Sequence, residues 1–232
     1  KPRIEIIKNI SARSIIKYML LEKFLFQKEE DFYLCQKILV EKKIKCWVNC
    51  PRRMFSVYDE IKASLASKDK ITLTVLGGSW GLGSNSIHFL DLFYFLSGEN
   101  EMIEPIAHFS NVYESKRAGY FEMDGTLIIK NTEGSELFLH SRFSSSNSVQ
   151  IQIMSGNSYW HIDEHNKSAD KFIEGQLVSN LKLDLPFQSD LTNVVIEQLI
   201  LKGQLSLPSY YDSMDLHLKL LSTFMIALKK KN

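Results

Sequence analysis

Between residues 104 and 178 the sequence offers six strand-length stretches in succession, and no helical pattern interrupts them. They run over 105–113, 120–130, 135–141, 148–154, 157–163 and 170–177, parted by turn signals such as Asn131-Thr132-Glu133-Gly134 and Ser155-Gly156-Asn157. A parallel pair needs a crossover of about a dozen residues or more, and these connections are shorter. The stretch therefore has to fold as a large, mostly antiparallel sheet.

The residues before it follow a different rule. Ile4, Ile6, Ile7, Ile10 and Ile15 suit a short amphipathic helix over 4–15, and Tyr18–Glu22 is a short apolar run. Residues 28–42 carry Phe32, Cys35, Leu39 and Val40 on one helical side, and Ile44–Val48 is a second apolar run. Strand, helix and strand with short connections make the βαβ unit of a parallel, doubly wound sheet. Pro51 marks a break. Beyond it the pattern gives a helix over 54–66 and a strand over Lys70–Leu76, then a glycine loop, Gly77 to Gly83, around Trp80 and Leu82. A helix over 85–97 ends at Gly98, and two helices over 190–203 and 209–229 close the chain. The fold class is thus α/β followed by α+β: a partial βαβ unit over 1–51, then a sheet-rich domain over 52–232 packed by helices.

Composition removes several classes of function. The formal net charge is +1, and the lysine clusters (Lys42, Lys43, Lys45 and Lys229, Lys230, Lys231) are short, so neither nucleic acid nor a membrane surface is an expected partner. No apolar run reaches the roughly 20 residues that span a bilayer. Lys1-Pro2-Arg3 does not open a signal peptide, and Cys35, Cys46 and Cys50 read as reduced thiols, which suggests a cytoplasmic protein. The chain opens on Lys, mid-pattern, as a piece of a longer protein would.

Two constellations can carry chemistry. Ligands of parallel α/β sheets bind beyond the carboxyl ends of the strands, and Glu22, Lys23 and Asn49 fall there on one edge. The plainer reading of Lys23 is a solvated loop lysine. The second constellation is the helix start Gly81–Leu92. Ser84 or Asn85 can cap it, and His88 and Asp91, three apart, share a face on which the carboxylate could orient the imidazole and raise its basicity. The plainer reading of His88 is a half-buried histidine packed by Phe89 and Phe95. His161, Asp163 and His165 would share one face of a strand, but no metal site is expected there.

Leu21-Glu22-Lys23-Phe24-Leu25 resembles the Glu-Lys-Pro segment of the glucose–fructose oxidoreductase / inositol dehydrogenase / MocA family. Asn49-Cys50-Pro51-Arg52-Arg53-Met54-Phe55 resembles its Asn-Arg-Arg-Phe stretch, and Ser86-Ile87-His88-Phe89-Leu90-Asp91-Leu92 its Gly-x-His-x-x-Asp-Leu helix. The order and spacing agree, and the resemblance covers essentially the whole chain. It implies an NAD or NADP cofactor and a sugar, cyclitol or nucleotide-sugar substrate. It implies Lys23 and His88 as catalytic residues, and Glu22, Asn49 and Arg53 on the cofactor side. Trp80, Asn85 and Asp91 would lie on the substrate side. It also implies a homo-oligomer formed through the open sheet.

Three departures accompany the resemblance: Phe24 stands for proline, Ser84 stands where the family often has aspartate, and Gly-x-Gly-x-x-Gly is absent. Residues 1–51 then read as the remnant of a Rossmann-like domain that lacks its phosphate-binding turn, and the chain alone is expected to bind dinucleotide weakly and to be inactive. The alternative is a non-catalytic relative serving as a sugar-binding or protein-interaction module.

Overall fold

The computed structural model describes residues 2–66, 69–98, 101–115, 119–186 and 188–229. Lys1, Lys230 and Lys231 lie outside the described residues.

The first unit is the expected parallel one. β1 (Tyr18–Leu21) pairs in parallel with β2 (Lys45–Val48), in register from Tyr18↔Lys45 to Leu21↔Val48. The connection is α2 (Glu29–Glu41), which buries Phe32, Cys35 and Leu39, one apolar stripe at helical spacing. α1 (Arg3–Arg13) precedes the pair and buries Ile4 and Ile7. A 3-10 turn, Pro51–Met54, leads to α3 (Ser56–Ser64).

The second unit is built on β3 (Ile71–Gly78), α4 (Leu82–Ser97) and seven further strands: β4 (Ile106–Glu114), β5 (Phe121–Lys130), β6 (Glu136–Arg142), β7 (Gln150–Ser155), β8 (Ser158–Asp163), β9 (Ser168–Ile173) and β10 (Gln176–Lys182). They form one eight-stranded sheet in the order β10-β9-β8-β7-β3-β6-β5-β4. β3 is inserted at its centre, parallel to β6 and antiparallel to β7, and every other pairing is antiparallel. The large antiparallel sheet is thus present, with one parallel pair inside it. α5 (Gln188–Lys202) and α6 (Tyr210–Lys229) end the described chain.

Alternation decides the faces. Leu73, Val75, Leu127, Ile129, Leu137, Leu139, Ile151, Ile153 and Ile162 are buried on one face of the sheet, which α4 covers at β3, β5 and β6 and α6 at β4. α4 is apolar almost all round, as a helix packed on every side must be, and Ile87, Leu90, Leu92 and Phe93 are wholly buried. Its C-terminal stop at Gly98 has the left-handed φ of +71° that the sequence suggested. The buried cluster runs on without a break into the first unit, from Ile4 to Phe224, and the Tyr210 hydroxyl of α6 donates to the Phe32 carbonyl of α2 at 2.8 Å.

Three expectations are corrected. The strand at 170–177 is two strands: the chain reverses at Glu174 and Gly175, both at positive φ (52° and 80°), which is the backbone of a two-residue hairpin. Gly77 and Gly78 belong to β3, not to a loop. α4 begins at Leu82, not at residue 85, with left-handed Gly81 as its cap and no side-chain cap from Ser84 or Asn85.

Gly125 of β5 faces the bulge between Phe109 and Asn111 of β4. Its φ is +136°, and a Cβ there would sit 2.2 Å from the His108 carbonyl oxygen. Gly125→Ala is therefore expected to cost at least about 2 kcal/mol in denaturant unfolding. A cost below about 0.5 kcal/mol would contradict this account of the β4–β5 pairing.

Candidate functional site

The ends of β1 and β2 converge as the topology requires. The Asn49 amide extends the ladder by donating to Leu21 O at 2.8 Å, and the Asn49 side-chain amide donates to Glu22 Oε1 at 2.5 Å. Lys23 turns the other way. Its ammonium reaches α4, donating to the Ser84 carbonyl at 3.0 Å and to Asn85 Oδ1. The Lys23–Phe24 peptide is cis, and Arg3 Nη1 of α1 donates to the Phe24 and Leu25 carbonyls at 2.6 Å each. Asn85 is fixed by donating to Trp80 O at 2.8 Å, and the Trp80 indole donates to His140 O on β6 at 2.9 Å. Lys23, Asn85 and Trp80 therefore form one hydrogen-bonded series between the two units.

Arg53 and Asp91 are placed differently from the sequence expectation. Arg53 holds Asp91 through two hydrogen bonds, Nε at 2.9 Å and Nη2 at 2.5 Å. Asp91 is 1% exposed, so it is sealed away from any substrate. The expected His88–Asp91 pair does not form: His88 Nδ1 is buried with no partner among the described residues. The physical reason is competition. A bidentate, charge-assisted bond to a guanidinium is stronger than one to a neutral imidazole, and Asp91 has gone to the stronger donor.

Three further groups stand around these residues, and of them local pattern marks only His217, as a solvated or structural residue of the last helix. Arg52 pairs with Glu164, at the turn after β8, through Nε at 2.9 Å and Nη2 at 2.7 Å. Tyr58, wholly buried, donates to the same carboxylate at 2.7 Å, and the guanidinium lies 4.2 Å from the centre of the Phe89 ring. Glu122 of β5 sits at the amino end of α4 and accepts from Gly83 N at 2.9 Å and Ser84 N at 3.3 Å. His217 of α6 is wholly buried, with its ring edge-on to Phe24 at 4.6 Å. Its Nδ1 lies 2.7 Å from the Ser213 carbonyl, which can only accept, so Nδ1 carries the proton and Nε2 is a lone-pair acceptor without a partner among the described residues. Only Gly81 and Gly83 could have hinted at a close approach to α4. The other partners lie too far along the chain for local pattern to show.

Burial sets the electrostatics. It lowers His88 to about 3, and the cations Lys23 and Arg52 add to the effect. His217 falls to about 3, chiefly by burial. Burial also lowers Lys23, Arg52 pushes it further down, and Glu122 and Glu22 pull it back up. Cys50 would raise Lys23 only as a thiolate, and burial holds that thiol protonated, so the carboxylates matter more. His161 and Asp163 are engaged with Gln150 and Asn166 rather than with each other, and no metal-binding cluster occurs among the described residues. A surface groove of about 540 Å³ lies between β4 and α6 and is not lined by these residues.

No family model matches the sequence, and no curated protein matches it. Solved structures do. A UDP-N-acetylglucosamine 3-dehydrogenase from Acidithiobacillus ferrooxidans superposes with a TM-score of 0.65 at 14% identity, over 88% of this chain and 67% of that one. A dehydrogenase (MviM) from Clostridium difficile gives 0.67 at 16%, over 97% and 75%. An aldose–aldose oxidoreductase from Caulobacter crescentus, solved with glycerol, gives 0.68 at 15%, over 99% and 75%. The fold is that of dehydrogenases of the glucose–fructose oxidoreductase / inositol dehydrogenase / MocA type, the one the sequence motifs resemble.

The buried histidines make stability depend on pH. Below about 6.5 the unfolded chain protonates them while the folded chain resists until about 3, so their contribution is complete above 6.5 and lost as pH falls. Asp91, raised to about 6 by burial against the pull of Arg53, works the opposite way between about 6 and 3.8. Two imidazoles outweigh one carboxyl. The unfolding free energy at pH 5 is expected about 2–3 kcal/mol below its value at pH 7, and His217→Leu should reduce that difference. Equal stability at the two pH values, by urea titration, would contradict the buried neutral imidazoles.

Proposed function

We propose that this chain carries the catalytic face of an oxidoreductase that moves hydride between NAD or NADP and a hydroxyl or carbonyl carbon of a sugar, cyclitol or nucleotide sugar. The observation that carries the reading is the reach of Lys23 from the end of β1 to Ser84 and Asn85 on α4, with His88 one turn further along the same helix. The structural neighbours named as sugar and nucleotide-sugar oxidoreductases support it.

The residues present fit one end of a dinucleotide. Glu22 and Asn49, hydrogen-bonded at the strand ends, suit the nicotinamide and its ribose. The pyrophosphate end has no counterpart here: Gly-x-Gly-x-x-Gly does not occur in the 232 residues, and Glu122 already occupies the amino end of α4. On this basis the 232 residues alone bind dinucleotide weakly. Arg53 holds the loop after β2 through Asp91 rather than touching cofactor.

When bound, the nicotinamide takes or gives the hydride. The Lys23 ammonium donates to the substrate oxygen and stabilises the developing alkoxide, and His88 takes the hydroxyl proton. Since Nδ1 is sealed, that exchange falls to Nε2. His88→Ala is expected to lower turnover by about 10²- to 10⁴-fold and Lys23→Met by at least as much, with a melting curve confirming that each variant still folds. The measurement is turnover of the complete gene product with a panel of sugars and cyclitols.

One observation favours the rival reading, a non-catalytic sugar-binding or interaction module. His88 Nδ1 has no partner to orient the ring among the described residues, and the imidazole is a weak base at about 3. Near-normal turnover in His88→Ala would discard its assigned role, and no turnover in any full-length form would favour the rival.

The second face of the sheet supports a homo-oligomer. Ile106, Ile128 and Phe138 form one row across β4–β6, and Met154, Tyr159, Phe172 and Leu177 another across β7–β10. These side chains are exposed or only half-buried, and such a patch calls for cover. Leu127, Ile129, Leu137 and Leu139 of the same strands face the core instead. Sedimentation at tens of micromolar is expected to give a dimer or larger species. Monomer alone would reject this interface.

A further inference from the structure

Ser84 is held from both sides of its peptide. Its amide and that of Gly83 donate to the Glu122 carboxylate, at 3.3 and 2.9 Å, and its carbonyl accepts from Lys23 at 3.0 Å. The next residue, Asn85, supplies the second acceptor for the same ammonium. The chain is shaped to admit the carboxylate. A Cβ at Gly83 would lie 3.0 Å from Glu122 Oε2, and one at Gly81, already at φ +77°, would lie 3.4 Å from Oε1. Two of the three residues in Gly81-Leu82-Gly83 are thus ones whose bare backbone lets a side chain from β5 reach the first turn of α4. That turn needs such a partner, because its leading amides have no acceptor within the helix and no side-chain cap from Gly81.

We propose that Glu122 is a positioning residue for Lys23: it fixes the first turn of α4, and that turn presents the Ser84 carbonyl and the Asn85 amide oxygen that hold the ammonium between the end of β1 and α4. The proposal rests on the reading of Lys23 as the group that meets substrate, and adds to it a residue 99 positions away in sequence on a different element. Glu122 touches neither substrate nor cofactor in this role.

Its charge has a second effect at the same place. The groups that act on Lys23 are Glu22 of its own strand end, Cys50 and Arg52 after β2, Glu122 of β5, and the imidazoles His88 of α4 and His217 of α6. Both imidazoles and the thiol are neutral near pH 7, and Arg52 is paired with Glu164. Against burial and Arg52, Glu122 is one of two carboxylates that keep Lys23 protonated.

The experiment reads Lys23 directly and needs no turnover. The folded protein is pulsed with acetic anhydride from pH 6 to 11, and acetylation of each lysine is quantified by peptide mass spectrometry. In Glu122→Gln, half-labelling of Lys23 is expected about one pH unit lower, so that Lys23 labels about 5- to 10-fold faster near pH 8. Lys17 and Lys171 should not change, and Glu122→Asp should recover part of the shift. If Glu122→Gln does not fold, Gly83→Ala displaces the carboxylate by a methyl group at a helical position and should move Lys23 in the same direction. An unchanged Lys23 profile in a folded variant overturns the proposal, even if the protein is an active oxidoreductase. A shifted profile in a protein without turnover keeps the proposal and counts only against the oxidoreductase reading.

Discussion

Among the described ion pairs, the one with the most deeply buried carboxylate is Asp91 with Arg53, and a buried charge so paired is far more costly to break than to keep. Asp91 lies in the middle of α4, surrounded by Ile87, Leu90, Leu92 and Phe93. Arg53 lies just after β2, so the ion pair fixes the end of the parallel sheet against the helix that crosses the antiparallel one. Loss of one partner would leave an unpaired buried charge, a penalty of about 3–5 kcal/mol. That penalty makes the juxtaposition of Asn49, Lys23, Asn85 and His88 a consequence of the core rather than of loop chemistry.

Arg52 extends the same logic to the other side. Its guanidinium stacks on Phe89 of α4 and pairs with Glu164, which Tyr58 of α3 also holds. The 3-10 turn is thereby tied to α4, to α3 and to the turn after β8. Each arginine is held by its own carboxylate through two hydrogen bonds. The family-like Arg-Arg pair is therefore better understood here as two staples. The ammonium at the amino end of α4 belongs to Lys23, and Glu22 and Glu122 supply opposite charge to it.

How much of this was legible in the sequence depends on the range of the interaction. Alternation gave the sheet, because every second residue of a half-buried strand must be apolar, and the Tyr18–Val48 stretch gave the parallel pair and the strand ends where Glu22, Lys23 and Asn49 meet. The Glu174-Gly175 reversal is hidden in the sequence because one two-residue turn interrupts an otherwise continuous strand pattern. The start of α4 was placed late because Gly81-Leu82-Gly83 reads locally as loop, while packing of Leu82 and the Glu122 carboxylate make it helix. The His88–Asp91 pair that local pattern suggests fails to form for the same reason. Spacing of three puts both on one face, but the winning partner, Arg53, is 38 residues away. Local pattern fixes which side chains could meet, and only the fold decides which do.

The weak basicity of His88 bears on the proposed chemistry, and its cause shows how far. Burial lowers it first, and then two cations, Lys23 and Arg52, repel the imidazolium. Of these, the field of Lys23 is the one that substrate would change. An alkoxide forming against the Lys23 ammonium cancels that charge from the point of view of His88 and places a negative charge beside it. The imidazole then gains affinity for a proton in step with the loss of that proton by the hydroxyl. Under the proposed function, a base that is neutral and weak without substrate, and strengthened by the charge its own reaction creates, would bind the transition state better than the ground state. On this reading, the absence of an Asp91 partner leaves the strength of His88 to the charge state of its neighbours, and Glu122, by holding Lys23 charged and in place, acts on both members of the pair at once.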